Sequence, residues 1–273
     1  MFIRLKLIIF LVNLFLAYSQ DDVSKSRVGL FKRDIKGQLT RFCTGSLISK
    51  EWIITLAHCL RQNNESRTIM EPRELHLRFN KNENQSLDEK IKNLAIRMWN
   101  MFSSRKKNQS FYHADKIIIH PAYNFTDISS HNIALIRIKE NLNDYSNFYG
   151  LPIKLAKEAL TTSQRCKSLD CYEWEDWSEN PRKYIDIQVA EWAKCQDRFS
   201  PLISENSTYI CTESGSCLFD FGNPLICQDT DGVHFLGGIG LFSKKRNPAI
   251  YLNIYDHLKW IENQQNDELI SID

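Results

Sequence analysis

Short apolar runs rich in Val, Ile, Phe and Tyr recur along this chain between Gly, Pro and Asn residues. Runs of this length, with turn residues at both ends, predict β-strands, and their number predicts an all-β barrel fold. No internal repeat or low-complexity linker separates them, so we expect one domain. The clearest predicted strands are Arg41–Ile48, Glu74–Phe79, Lys116–His120, Ile133–Ile138 and Val233–Ile239.

Two segments have helical spacing instead. Apolar residues recur every three or four positions along Leu87–Phe102, and a second such segment closes the chain around Tyr255–Gln265. We therefore predict an inserted surface helix and a C-terminal helix. The inserted helix either packs its stripe on the barrel or presents Trp99 and Met101 as aromatic-type anchors for a partner.

The first 19 residues have a basic beginning, a short apolar run and small residues at Ala17 and Ser19. This pattern predicts a secretory signal peptide, followed by a single domain over residues 20–273. The apolar run is shorter than the ~20 residues that span a bilayer, so we predict no membrane insertion.

Removing Arg4 and Lys6 with the signal peptide leaves 33 basic against 33 acidic side chains. A neutral chain with scattered charges gives no reason to expect nucleic acid as a partner.

Eight cysteines in a secreted chain predict disulfides rather than a metal or redox site. No C-x-x-C, H-x-H or H-E-x-x-H pattern occurs, so we expect no metal and no cofactor. Five N-x-S/T sequons indicate a glycoprotein, with the modified loops facing solvent. The predicted acceptors are Asn64, Asn84, Asn108, Asn124 and Asn206.

The most informative stretch is Cys217–Cys227, which contains C-L-F-D-F-G-N-P-L-I-C. It resembles the nucleophile loop of the trypsin-like serine proteases, C-x-G-D-S-G-G-P-L-x-C, with Gly222 in register. Phe221 then lies at the position of the nucleophilic serine, and Phe219 at that of a glycine that donates to the oxyanion. A phenyl ring has no proton to give up and no lone pair to attack a carbonyl.

Two further stretches are similar to the same family. Phe42–Cys59 ends in T-L-A-H-C and aligns His58 with the general base, whereas Asn132, in H-N-I-A-L, aligns with the triad aspartate. The resemblance implies two packed six-stranded antiparallel β-barrels and a triad that is not intact. The competing interpretation of His58 is a histidine kept for packing under a Cys43–Cys59 bridge.

The resemblance also locates the specificity pocket. Gly215 aligns with the aspartate that selects basic side chains in trypsins, so no charge selects Lys or Arg here. The side chains at the remaining pocket positions add bulk compared with the family. The resemblance therefore implies that the cleft is apolar and partly filled. These pocket positions are Leu241, Phe242, Ser243 and Ala249.

Disulfide pairing is likewise implied by the resemblance. Cys43–Cys59 and Cys195–Cys211 match family bridges in position and order, and Cys227 then joins Cys166. Cys171 and Cys217 are left to bond each other, and the main alternative pairs Cys171 with Cys227.

These features together imply a secreted serine protease homologue of insect type that binds or regulates without cutting. Its expected role is that of a cofactor, decoy or carrier in a fluid such as haemolymph or seminal fluid. Its expected partners are extracellular proteins, such as active proteases or their substrates. Two alternatives stay open: a weakly active endopeptidase using His58 with Ser214 or Ser216, and a purely structural secreted glycoprotein.

Overall fold

The structure is a computed structural model, and the prediction of a two-barrel, all-β fold is confirmed. It describes residues 23–62, 67–79, 111–125, 131–138, 150–169, 184–199, 203, 208–215, 221–242 and 247–270. Several predictions fall outside these residues: the signal peptide, the helix over 87–102, and every sequon except Asn124. Phe219, Ser243, Cys171 and Cys217 lie outside them as well.

Within the described residues, the chain forms thirteen strands and two α-helices. The first six strands are β1 (Arg27–Arg33), β2 (Leu39–Leu47), β3 (Trp52–Thr55), β4 (His76–Phe79), β5 (Tyr112–Ile119) and β6 (Ala134–Ile138). The next seven are β7 (Lys154–Leu155), β8 (Arg165–Leu169), β9 (Tyr184–Gln188), β10 (Tyr209–Thr212), β11 (Pro224–Gln228), β12 (His234–Phe242) and β13 (Ala249–Asn253). The helices are α1 (Ala193–Phe199) and α2 (Leu258–Ile270), and a 3-10 turn, Tyr255–His257, leads into α2.

The first six strands close into an antiparallel barrel in the order β1-β2-β3-β6-β5-β4. The others form a curled sheet in the order β10-β13-β12-β11-β8-β9. The second barrel differs from the expected one in two ways. Its ends meet only through an isolated bridge between Val189 and Thr212, and the two-residue strand β7 adds a parallel pair to β12.

Alternation of apolar and polar residues explains how the strands pack. In β4, Leu77 and Phe79 are buried while His76 and Arg78 are partly exposed, as expected when every second side chain faces the core. All four residues of β3 are buried, because apolar side chains occupy both of its faces. The core is shared by residues of both sheets, which joins the barrels.

Among the described residues there are three disulfides, with the pairings that the resemblance implied: Cys43–Cys59, Cys166–Cys227 and Cys195–Cys211. Because Cys227 is bonded to Cys166, the alternative pairing of Cys171 with Cys227 is wrong. No helix in the described part of the chain is both long and apolar enough to cross a membrane.

Candidate active site

His58 and Asn132 are brought together by the pairing of two strands. In the antiparallel pair β3–β6, Thr55 lies opposite Ala134. His58 follows the end of β3 in a 3-10 turn, Ala57–Leu60, and Asn132 precedes the start of β6. Because one strand ends where its neighbour begins, the two side chains meet although 74 positions separate them.

The amide of Asn132 binds His58 through both of its polar atoms. Its Oδ1 accepts the backbone N–H of His58 at 2.9 Å, and its Nδ2 lies 2.9 Å from Nδ1 of the ring. A backbone N–H can only donate, so the amide oxygen must face it and the NH₂ group must face the ring. Asn132 is fully buried, and its orientation is therefore set by two partners.

This contact determines the tautomer of His58. An NH₂ group donates, so Nδ1 must offer its lone pair and the ring proton must be on Nε2. A triad base needs the reverse, with Nδ1–H donating and Nε2 free to accept. In this chain Nε2 instead lies 4.0 Å from Sγ of Cys59.

Burial lowers the pKa of His58 from 6.5 to about 4, and the positive charge of Arg61 acts in the same direction. An acceptor on Asn132 would raise this pKa. However, Oδ1 is engaged by the backbone and lies 3.4 Å from Nδ1, farther than the donor Nδ2. His58 is therefore neutral at physiological pH.

Phe221 occupies the turn before β11, and its ring packs against His58. The two ring centroids are 4.6 Å apart and the planes are nearly perpendicular, at 87°. This edge-to-face geometry is a favourable arrangement for aromatic pairs. Phe221 also packs against the hydrophobic core, so its ring anchors this turn.

The turn that carries Phe221 is held by main-chain contacts to both barrels. Thr44, in β2, donates its N–H to the carbonyl of Phe221 at 2.9 Å, and Gly222 donates to the carbonyl of Gly240, in β12, at 2.9 Å. Gly222 has a φ of +83°, and a Cβ there would lie 1.9 Å from the carbonyl oxygen of Thr44. Only glycine fits this position.

The described pocket positions are mostly buried in the second sheet. Leu241 and Ala249 are within the core, and Gly215 is buried with its N–H donating to the carbonyl of Asn247 at 2.7 Å. Phe242 is partly exposed and stacks on Phe199 of α1, with 6.0 Å between the ring centroids. The sequence did not predict α1, whose seven residues are too few for a clear periodicity.

One group of three potential metal ligands in the described residues has donor atoms within 4.8 Å of one another: Cys43, His58 and Cys59. The two sulfurs form a disulfide and offer no thiolate, so this set does not suit a metal ion.

Asn124, the one sequon asparagine that the structure describes, is exposed in the segment after β5. Its neighbour Phe125 lies under the guanidinium of Arg61, which caps the turn of His58. The roles of Thr44 and Gly240 were not predicted, because both residues act through main-chain atoms.

Comparison with known proteins finds similarity along most of the chain. The family model described as Trypsin matches residues 24–261. CLIP domain-containing serine protease B4 of Anopheles gambiae is 25% identical over 247 residues, which cover 83% of this chain and 62% of that protein. The chain thus spans less than two thirds of that relative.

Two shorter relatives are covered more fully. Platelet-aggregating proteinase PA-BJ of Bothrops jararaca is 24% identical over 231 residues, which cover 81% of this chain and 82% of that protein. Serine protease 1 of Homo sapiens is 24% identical over 231 residues, with 81% and 79% covered. All three relatives are named as proteases.

Proposed function

This chain belongs to the trypsin family of serine proteases, and we propose that it is a non-catalytic member that acts outside the cell as a binding or regulatory protein. Its named relatives are proteases, so the proposed loss of catalysis depends on the residues that this chain itself carries in the site. The observation that carries it is the ring of Phe221 packed against His58 at the position aligned with the nucleophile.

Two steps of the family mechanism lack their chemical groups here. Acyl transfer begins when a hydroxyl attacks the carbonyl, and Phe221 has none. The base must then accept a proton on Nε2, but the amide of Asn132 favours the tautomer that already carries a proton there. In the trypsin family, asparagine in place of the aspartate alone lowers turnover by about 10⁴.

The direct test uses the purified full chain with a fluorophosphonate probe and a panel of fluorogenic peptides. We expect neither labelling nor hydrolysis, with an active trypsin as the positive control. Stoichiometric labelling of any serine would contradict the proposal. Labelling lost in S214A or S216A would instead favour the weakly active endopeptidase.

Three disulfides in the described residues support an extracellular location, because such bonds persist in oxidising compartments. The similarity to a mosquito protease supports an insect source. A fluid such as haemolymph or seminal fluid is the setting we propose. The proposed role there is that of a cofactor, decoy or carrier for active proteases or their substrates.

Crosslinking mass spectrometry in the native fluid separates this role from that of a structural glycoprotein. A regulatory role predicts that a tagged copy of this chain crosslinks saturably to one partner. Excess untagged protein should compete for that partner, whether the glycans are intact or trimmed. Crosslinks spread over many abundant proteins without competition would favour the structural role.

A further inference from the structure

Three histidines pack together where the C-terminal helix meets the first barrel. His120 follows β5, His131 lies just before β6, and His257 ends the 3-10 turn that leads into α2. The rings of His120 and His131 are stacked with 4.7 Å between centroids, and His257 lies 6.0 Å and 6.1 Å from them. Trp260 of α2 packs on His120 at 4.9 Å. We call His120, His131 and His257 the histidine cluster.

The backbone holds these rings in place. His131 has a φ of +46°, a left-handed conformation that is unusual for a residue with a side chain. Its carbonyl accepts the N–H of Ile133 at 2.7 Å, and the carbonyl of Ile133 accepts the N–H of His120 at 3.1 Å. The histidine cluster thus lies where two hydrogen-bonded segments of the first barrel contact the start of the C-terminal helix.

Hydrogen bonds locate a proton on one nitrogen of each of two rings, and they show that His120 is neutral. Nδ1 of His257 lies 2.8 Å from the carbonyl of Asn253, which can only accept, so Nδ1 carries the proton. Nε2 of His257 is buried and has no hydrogen-bond partner among the described residues, so a second proton there would lack an acceptor. His120 accepts the N–H of Ala122 on Nδ1 at 3.2 Å, which places its proton on Nε2.

The surroundings oppose a positive charge at this contact. Burial lowers the pKa of His120 to about 4, and His131 and His257 act in the same direction. Burial and His131 also lower the pKa of His257, whereas the Asn253 carbonyl and the carboxylate of Asp256 raise it. His120 is partly exposed, so water screens a positive charge on its ring. The docked state therefore opposes protonation more strongly at the buried His257.

The rings are not arranged around a shared metal ion. The histidine cluster is not among the groups of described residues whose donor atoms lie within 4.8 Å of one another. In addition, His120 already uses Nδ1 to accept a hydrogen bond, so a metal on Nε2 would break that contact. A proton can bind to Nδ1 of His120, where it displaces the N–H of Ala122, or to Nε2 of His257, which is buried without an acceptor. In either case the proton opposes the docked arrangement.

We propose that the histidine cluster is an acid-sensitive contact that releases helix α2 from the barrel as the pH falls. Among its described apolar side chains, α2 buries Ile261 fully, and Leu258 and Trp260 only partly. A helix with so few buried side chains can open without unfolding the barrel. When α2 and the end of the 3-10 turn before it leave the barrel, His257 becomes exposed to water and binds a proton with its ordinary affinity.

The direction follows from proton linkage. The docked state favours the neutral forms of His120 and His257, so the released state binds protons more tightly below about pH 6.5. Release therefore becomes more favourable as the pH falls, by at most about tenfold per pH unit for each of these histidines. At neutral pH the contact is intact.

Hydrogen exchange of the helix amides, corrected for intrinsic rates, tests this on the full chain. Between about pH 7.5 and about pH 5.5, the opening constant of α2 should rise at least about tenfold in the wild type. The matched control H113Q, which removes an exposed histidine of β5, should show the same rise. In the double variant H120Q/H257Q the rise should be less than about twofold.

Equal protection of the wild-type helix at both pH values would overturn the proposal, as would an undiminished rise in the double variant. A second measurement covers a double variant that does not fold. The emission of Trp260, obtained as the difference between wild type and W260F, should change over the same pH window because protonated histidine and solvent exposure both quench indole. A constant difference spectrum from about pH 7.5 to about pH 5 would equally refute release.

Discussion

Asn132 holds His58 at two atoms, with its oxygen on the backbone N–H and its nitrogen on the ring, both at 2.9 Å. A carboxylate in this place could accept from both. The amide has one donor and one acceptor, and the backbone takes the acceptor. The change of one atom in the side chain therefore decides which ring nitrogen of His58 carries the proton.

Replacing this amide by a carboxylate should restore the family tautomer. In N132D the pKa of His58 should rise from about 4 by roughly 1–3 units, because the carboxylate accepts from Nδ1–H and favours the charged ring. Ring ¹⁵N chemical shifts measured through a pH titration give both tautomer and pKa, with His76 in the same spectra as the internal control. A proton that stays on Nε2 in N132D would contradict the conclusion that residue 132 decides the tautomer of His58.

A serine at the nucleophile position should not suffice for catalysis. In F221S the hydroxyl would meet a base in the wrong tautomer, and triad members act as a unit whose effects are far from additive. We expect no fluorophosphonate labelling, together with a loss of roughly 1–2 kcal/mol of unfolding free energy from the lost aromatic packing. Labelling at position 221 comparable to that of trypsin would show that the remaining site is competent.

Two glycines in the left-handed region provide a matched pair for stability. Gly222 and Gly37 have φ values of +83° and +75°, but a Cβ would collide with the Thr44 carbonyl only at Gly222 and would meet nothing within 4 Å at Gly37. G37A should cost about 1 kcal/mol from backbone strain alone. G222A should cost at least about 3 kcal/mol, since the main chain must also shift. Equal costs in urea denaturation would contradict the contact.

Acid should destabilise the protein in part through His58. Its pKa is lowered in the folded state, so its contribution is complete above the ordinary value of 6.5 and is lost as the pH falls toward 4. Between about pH 7 and about pH 5, the wild type should lose about 2 kcal/mol more unfolding free energy than H58Q. Parallel pH profiles for the two proteins would show that His58 titrates normally in the fold.

A fourth disulfide, Cys171–Cys217, stays a prediction, because both residues lie outside the described part of the chain. It would tie the nucleophile loop to the segment after β8, and free thiols are unusual in an oxidising fluid. A peptide map under non-reducing conditions should recover the two cysteines as one crosslinked pair. Alkylation of both without reduction would exclude the bond.

The strands were predictable because their periodicity is local. β4 and β6 begin within two residues of the predicted positions, and β12 extends three residues beyond its predicted end. The approach of His58 to Asn132 followed from the family motif and from the pairing of β3 with β6. The two-residue β7 and the short helix α1 carry too few residues for any period to be visible.

Other features depend on side-chain orientation or on distant segments, which residue spacing does not encode. The direction of the Asn132 amide is decided by a single backbone N–H. The perpendicular packing of Phe221 on His58 depends on the rotamers of both. The histidine cluster joins positions 120, 131 and 257, whose histidines look unrelated along the chain.

Thr44 and Gly240 belong to different barrels, and both hold the main chain at positions 221 and 222. The turn at positions 221 and 222 is thus joined to both barrels by main-chain hydrogen bonds. It requires glycine because a Cβ would collide with the backbone oxygen of Thr44, and not because of any reaction. A new side chain at position 221 leaves both main-chain hydrogen bonds in place, whereas a side chain at position 222 collides with the Thr44 carbonyl. In a protein of this architecture, side-chain substitutions can therefore remove catalytic groups while the main-chain contacts that hold the fold remain.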